Sequence, residues 1–380
     1  MKTVIAIDSL KGSLTSMEAG MAIRQGILNA WGNEMDVLVR PLADGGEGTI
    51  DALVEGMNGS LEAIETEGPL KAAVTSRYGW IPDKKTAVLE CAESSGLSLV
   101  PVADRNPLKT STIGMGQVIR HAVESGVRNF IIGIGGSATN DRGTGMLTAL
   151  GYKFLDAEGN ALFGCGESLA KIAKIDVTDV MPELAECTFR IACDVTNPLC
   201  GELGASHVYG PQKGATPDMV KVLDAGCHHF AEITKAALGI DNENLPGAGA
   251  AGGLGYAFAT FLKGELKSGI QIVLEEIRLE DDVTDADYVI TGEGRLDCQT
   301  SMGKAPIGVA KLAKKHGASV IAFAGSITDD AKACNDAGID AYFPIIPRLI
   351  TLEEAMDKET ASYNMTHTAE QVFRLLKAAK

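Results

Sequence analysis

Four segments of the chain bring glycine and acidic residues together at or near the end of an apolar run. They are Leu42-Ala-Asp-Gly-Gly-Glu-Gly-Thr49, Gly133-Ile-Gly-Gly-Ser-Ala-Thr-Asn-Asp141, Cys193-Asp-Val-Thr-Asn-Pro198 and Thr291-Gly-Glu-Gly-Arg-Leu-Asp297. Glycine lets a backbone come close to a ligand and point its N–H groups at an anion. Carboxylates beside such loops can hold a divalent cation or take a proton. Binding a phosphorylated ligand together with a metal needs both, so the combination predicts an enzyme.

Other segments carry narrower chemistry. Asp8-Ser-Leu-Lys-Gly-Ser-Leu14 lies between a strand and a helix start, where Lys11, Ser13 and the helix amides could hold a phosphate or carboxylate. It reads equally well as a polar connection with a surface lysine. Asp194 follows an apolar strand and precedes Asn197-Pro198, which suits a general base or an Asx turn. Arg295 and Lys304 are the cations nearest Glu293 and Asp297, as substrate clamps or as ordinary ion-pair partners. Gly133-Ile-Gly-Gly-Ser-Ala138 fits a dinucleotide fingerprint, with Asp156 about where a ribose-binding acid is expected. Gly247-Ala-Gly-Ala-Ala-Gly252 fits a second one, without a clear strand before it. These two motifs keep an NAD(P)-dependent hydroxyacid dehydrogenase as a rival. A Walker A loop is missing, since Gly303-Lys304 lacks the upstream glycine, and so is a protein-kinase catalytic loop.

Composition excludes further classes. The net charge of −16 argues against nucleic acid and against an anionic membrane surface, so an anionic small molecule needs a local positive pocket. Eight cysteines are scattered without a CxxC pair, and Cys187, Cys193 and Cys200 fit no zinc spacing. Free thiols in a reducing cytoplasm are expected. His228 and His229, on a predicted helix, also lack metal spacing and read as surface or structural. The apolar run Val4 to Ile7 is cut short by Asp8 and predicts a strand rather than a signal peptide or membrane span.

These residues need a scaffold, and the pattern supplies one. At 380 residues two domains are expected. Thr3–Ile7 reads as a buried strand, Thr15-Ser-Met-Glu18 as a capping box opening a helix, and Val37–Val39 as the next strand. Near the other end Tyr288–Thr291, Ser319–Ala324 and Ala341–Ile345 read as strands alternating with helices stopped by Gly317 and Gly338. The middle differs: Ala87–Cys91, Phe130–Ile134, Tyr152–Leu155 and Phe189–Cys193 are strand candidates separated by longer irregular stretches. The expected architecture is α/β. A doubly wound parallel-sheet domain is built from residues 1–62 and 284–380, and a mixed α/β domain, 63–283, is inserted in it. Two consecutive domains meeting near residue 180 is the alternative. Ligands sit beyond the carboxyl ends of such strands, which predicts a metal-and-phosphate site at a hinge.

Taken together, the motifs match something specific. From about residue 2 to 375 the chain resembles the type I glycerate kinase family. The resemblance rests on Asp8–Leu14, Pro41–Thr49, Gly135–Asp141, Asp194–Leu199, Gly247–Gly253 and Thr291–Asp297, with Gln299-Thr300 and Gly303-Lys304. Ile7 and Leu10 stand where the family usually has proline and phenylalanine. The resemblance implies a Rossmann-like domain with an inserted second domain and the active site between them. It also implies ATP- and Mg²⁺-dependent phosphorylation of D-glycerate, with 2-phosphoglycerate as the usual product.

On that reading Asp194 is the expected base, with Lys11 and Arg295 assisting at the substrate. Glu293 and Asp297 are the expected Mg²⁺ ligands. Contacts to glycerate or ATP are expected from Ser13, Asp44, Gly45, Gly46, Gly135, Gly136, Ser137, Asn140, Asp141, Gly252, Gly253 and Lys304. Asp44 is also a reserve metal ligand. A kinase for another small sugar acid and a non-catalytic nucleotide sensor remain rivals. Homo-oligomerisation is compatible with the sequence.

Overall fold

The structure, a computed structural model, describes residues 1–380 and divides into two compact units. The first comprises Met1–Asp44, Asp51–Met57 and Ile270–Lys380, and the second Gly45–Ile50 and Asn58–Gly269. Both are α/β.

In the first unit five strands form a wholly parallel sheet. Their order is Ala341–Pro344, Ser319–Ile327, Tyr288–Leu296, Lys2–Ile5, Asp36–Val39. From Lys2–Ile5 the chain steps one way to Asp36–Val39, whereas the later strands step the other way from Tyr288–Leu296. The gap between Lys2–Ile5 and Tyr288–Leu296 is therefore the topological switch point, where crossovers diverge and leave a crevice at the strands' carboxyl ends. The helix Ser16–Trp31 starts at the predicted capping box, with Thr15 and Glu18 bonding each other's backbone N–H. It buries Ala19, Ile23 and Ile27 and lies along Lys358–Ala378, where Trp31 Nε1 donates to Phe373 O at 3.0 Å. A Cβ on Gly26 would come within 2.3 Å of Thr366 O, so the close approach of the two helices requires that glycine.

Two expectations are corrected in this unit. Tyr288–Thr291 was expected to end before the Gly-Glu-Gly-Arg segment, yet the strand runs on to Leu296, with Glu293 paired opposite Ala324 and Arg295 opposite Ser326. Hydrogen bonding to Ser319–Ile327 carries the extension past two glycines. Gly292 has φ +152° and lies so near Phe323 O that a Cβ would fall 1.9 Å from it. The unit also begins again at Ile270 rather than near 284. Ile270 fills the space beside Gly308, and Asp282 accepts from Arg40 Nε and Nη2 at 2.6 and 3.1 Å, which holds residues 270–283 to this unit.

The second unit has a six-stranded mixed sheet. Glu265–Lys267, Thr188–Ala192, Asn129–Gly133 and Thr86–Glu90 run parallel, followed by antiparallel Ala73–Ile81 and Ser60–Glu67. One apolar core includes Leu89, Phe130, Ile132, Phe189, Ile191, Phe230 and Phe258. The stacked rings of Phe130 and Phe189 lie 4.9 Å apart.

The dinucleotide fingerprint fails here. Lys153–Leu155 leaves the main sheet and pairs with Lys174–Asp176 instead. Asp156 accepts from the N–H groups of Glu158 and Asn160 at 3.1 and 2.8 Å, a local turn rather than a ribose site. After Gly133 the chain stays irregular until the helix Thr144–Ala149, so no helix N-terminus follows the glycines directly.

No helix is long and apolar enough to cross a membrane.

Candidate functional site

The switch point of the first unit gathers carboxylates. Asp8 follows the first strand, and its N–H donates to Gly292 O at 3.0 Å, which ties it to the strand that carries Glu293. Asp8 is 5% exposed. Burial, and then the neighbouring negative charge of Asp44, push its carboxyl up to about 7, despite the Ser9 N–H and the Lys11 charge that favour ionisation; Glu293 adds to the rise. Glu293 is also buried, which raises its carboxyl. The Thr300 hydroxyl donates to its Oε1. The half-buried Lys304 offsets part of that rise, and the charges of Asp297 and Asp44 add to it.

Asp8, Asp44 and Glu293 bring negative charge to one place, and the Lys11 and Lys304 ammonium groups offset part of it. An oxygen-only donor set of this kind suits a hard divalent cation such as Mg²⁺. Asp8, Asp44 and Glu293 each follow a strand candidate in the sequence, which groups them in one metal-and-phosphate site, although the sequence reading of Mg²⁺ ligands rests on Glu293 and Asp297 with Asp44 in reserve.

Asp297 is placed differently from Glu293. Its Oδ1 accepts from the N–H groups of Gln299 and Thr300 at 2.9 and 3.3 Å, and Arg295 Nε stands 3.5 Å from Oδ2. It therefore shapes the turn that presents Thr300 to Glu293. Arg295 is paired, but its side chain is largely exposed, and such a pair is weak enough to open toward an anionic ligand. Lys11 is exposed, while Ser13 Oγ is buried without a hydrogen-bond partner.

In the second unit the predicted residues cluster at the carboxyl ends of the parallel strands. Gly135 and Gly136 are exposed just beyond Asn129–Gly133. A Cβ on Gly135 would meet nothing within 4 Å, and its φ lies outside the positive range, so packing does not demand glycine there. Ser137 follows, and its Oγ accepts from Lys213 Nζ at 2.7 Å. Lys213 also donates to Thr139 O at 2.7 Å, is 2% exposed, and is pushed down to about 8 by burial. A buried cation thus stands behind an open glycine loop. Nothing in the local sequence pattern around Lys213 marked it.

Other predicted contacts turn inward. Asp141 is fully buried and accepts from Thr112 N–H and hydroxyl at 2.9 and 2.8 Å and from Gly143 and Gly145 N–H at 3.2 Å each; burial raises its carboxyl. Asn140 Oδ1 accepts from Arg142, which is itself buried and donates to Gly252 O at 2.9 Å and Ser206 Oγ at 2.7 Å. Arg142 was also missed from sequence. Gly252 and Gly253 lie against this arginine loop: a Cβ on Gly252 would fall 2.0 Å from Thr139 O, and one on Gly253 2.3 Å from Arg142 Cδ.

Gly45 is wedged beside Ala192 and Gly269, where a Cβ would come within 2.5 Å. Gly46 O accepts from the Thr49 hydroxyl at 2.7 Å. Asp194 is exposed, and its Oδ1 accepts from Gly269 N–H at 3.1 Å.

Two glycines give a paired prediction. Gly135→Ala should leave unfolding free energy within about 1 kcal/mol of wild type while raising KM for ATP. Gly252→Ala should cost about 3 kcal/mol or more, because a positive φ and a backbone oxygen both oppose the new methyl group. Urea unfolding and initial rates decide both, and similar stability losses in the two variants would refute the contrast.

A doubly wound domain with carboxylates at its switch point, joined to a second α/β unit with a buried lysine behind an open glycine loop, defines a phosphotransferase-like class of enzyme. The glycerate kinase family model matches residues 3–377, and the chain belongs to that family. It is 49% identical over 376 residues to the glycerate kinase of Haemophilus influenzae, covering 99% of each chain. With the glycerate 2-kinase of Escherichia coli it shares 49% over 355 residues, 93% of each. A crystal structure of a Salmonella typhimurium protein, provisionally named glycerate kinase 2, superposes with a TM-score of 0.92 at 47% identity. That match covers 100% of this chain and 99% of the other.

Proposed function

We propose that the protein transfers the γ-phosphoryl group of ATP in line to the 2-hydroxyl of D-glycerate, giving 2-phosphoglycerate and ADP. The observation that carries this reading is the cluster of Asp8, Asp44 and Glu293 at the switch point of a glycerate kinase family member. Phosphoryl transfer needs positioning and charge neutralisation more than covalent help from the protein. Asp8, Asp44 and Glu293 are the residues that would hold Mg²⁺, with Asp297 organising the turn beside them. The ion would neutralise charge on the nucleotide's phosphate oxygens.

The chain's own groups do the rest. Gly135, Gly136 and Ser137, backed by Lys213, would receive phosphate oxygens through backbone N–H groups and charge. Lys304, Lys11 and Ser13 would add donors toward the phosphate or the acid. Asp194 would take the hydroxyl proton, a role that typically contributes about 10²–10⁴-fold. Asp194→Asn should therefore lower kcat at least about 100-fold, and near wild-type turnover would remove it from that role. Arg295 would grip the glycerate carboxylate through two parallel N–H bonds. Arg295→Lys should raise KM for glycerate several-fold more than KM for ATP, since lysine cannot reproduce the fork. Equal changes in both would count against the grip.

Phosphorus NMR of purified protein with ATP, Mg²⁺ and D-glycerate tests the whole reading. A phosphomonoester resonance matching 2-phosphoglycerate is expected. A 3-phosphoglycerate resonance would overturn the regiochemistry. ADP and free phosphate without either would point to another acid as acceptor, and no ATP consumption would refute kinase action.

A further inference from the structure

Away from these residues, the second unit brings Cys200, His228 and Glu243 together. The Cys200 thiol, a His228 ring nitrogen and a Glu243 carboxylate oxygen all lie within 4.8 Å of one another. We propose that these three side chains form a binding site for a zinc ion, separate from the Mg²⁺ chemistry of the first unit. One thiolate, one imidazole and one carboxylate are the donors zinc prefers at tetrahedral geometry, and the sulfur selects against Mg²⁺. With three protein ligands, a water molecule completes the shell.

The surroundings support ligation. His228 Nδ1 and Glu243 Oε1 are hydrogen-bonded at 2.8 Å, about half an ångström closer than two donors would stand on one tetrahedral zinc ion. Its other nitrogen, Nε2, stands 3.8 Å from Glu232 Oε1 one helical turn on, beyond hydrogen-bond length but within reach of a small turn of that exposed carboxylate. Metal-bound histidines usually present their second N–H to such a carboxylate, which fixes the ring's orientation and tautomer. The ligands come from three separate segments: Cys200 beyond the strand Thr188–Ala192, His228 within the helix Pro217–Leu238, and Glu243 in the stretch that follows it. The backbone registers two of these segments, since Leu199 N–H donates to Glu243 O at 2.9 Å. Behind Cys200, the buried thiol of Cys227 lies 2.7 Å from its sulfur. Oxidative pairing of the two would consume the ligand, so the site requires reduced cysteines.

The test uses full-length, tag-free protein in a phosphine reductant, titrated with Co²⁺ as a spectroscopic stand-in and then with Zn²⁺. Expected are intense tetrahedral d–d bands and a thiolate-to-cobalt charge-transfer band saturating near one ion per chain, both erased by Zn²⁺. C200S should abolish the charge-transfer band, and H228Q, an exposed substitution that leaves packing intact, should weaken Co²⁺ affinity at least about tenfold. E232Q should weaken it less. C298S serves as a thiol control and should change nothing. No bands at millimolar Co²⁺, or bands retained in both C200S and H228Q, would overturn the proposal.

Discussion

Asp8→Asn should abolish most turnover and at the same time make the protein more stable at pH 8 in the presence of a chelator. The two effects share one cause. In the folded chain the Asp8 carboxyl binds its proton up to about pH 7, against 3.8 ordinarily, because it is buried and faces Asp44 and Glu293. Between these values the folded state keeps a proton that the unfolded chain has released. Folding stability therefore falls as pH rises from about 4, and the penalty is complete above about 7. Three pH units correspond to about 4 kcal/mol at most, and asparagine avoids the ionic part of it.

A gain on the order of 1–3 kcal/mol would raise the melting temperature of this unit by several degrees. Turnover should meanwhile fall at least about 100-fold, since the lost charge is one that would hold the divalent cation of the proposed reaction. Thermal melts of both proteins from pH 4 to 9 give the check. A stability difference that stays flat with pH would refute the argument, and so would an active Asp8→Asn enzyme.

Lys213→Met should act on the other substrate. Lys213 Nζ makes two charge-assisted hydrogen bonds, to Ser137 Oγ and Thr139 O, and supplies positive charge behind Gly135 and Gly136. Removing that charge should lower kcat/KM for ATP by about 10²–10³-fold, a loss of about 3–4 kcal/mol of transition-state binding. Methionine fills the same volume without a desolvated charge, which offsets part of the cost of leaving Ser137 Oγ and Thr139 O without that donor. The pH profile separates a functional role from a packing role. Burial brings the lysine down to about 8, so wild-type kcat/KM for ATP should fall as pH rises through that value and the charge is lost. The variant should show no such fall. Profiles of identical shape would assign Lys213 to packing alone.

What was legible in the chain was local. The capping box at Thr15 and Glu18 opened the helix where expected, because an N-cap and its partner lie three residues apart and need nothing else. Alternating strands and helices at both ends gave the α/β class and the parallel sheet, since short crossovers leave few ways to pair such strands. Glycine-rich segments were visible too, but not their separate uses. Gly135 stands open, whereas Gly252 and Gly253 make room for Thr139 and Arg142. An expected end of strand at Thr291 gave way to ladder pairing with Ser319–Ile327, which a local pattern cannot report.

Tertiary structure alone decided which groups meet. Asp8 bonds to Gly292, Lys213 to Ser137, and Cys200 stands with His228 and Glu243, although the partners are far apart along the chain. No periodicity of 2 or 3.6 residues encodes such pairs. They follow from strand order: the first strand lies beside Tyr288–Leu296, with most of the intervening chain in the second unit, and that adjacency creates the switch point. Residue types set which chemistry was available to this protein, while burial and long-range adjacency, reached only on folding, chose the carboxylates and the lysine that would perform it.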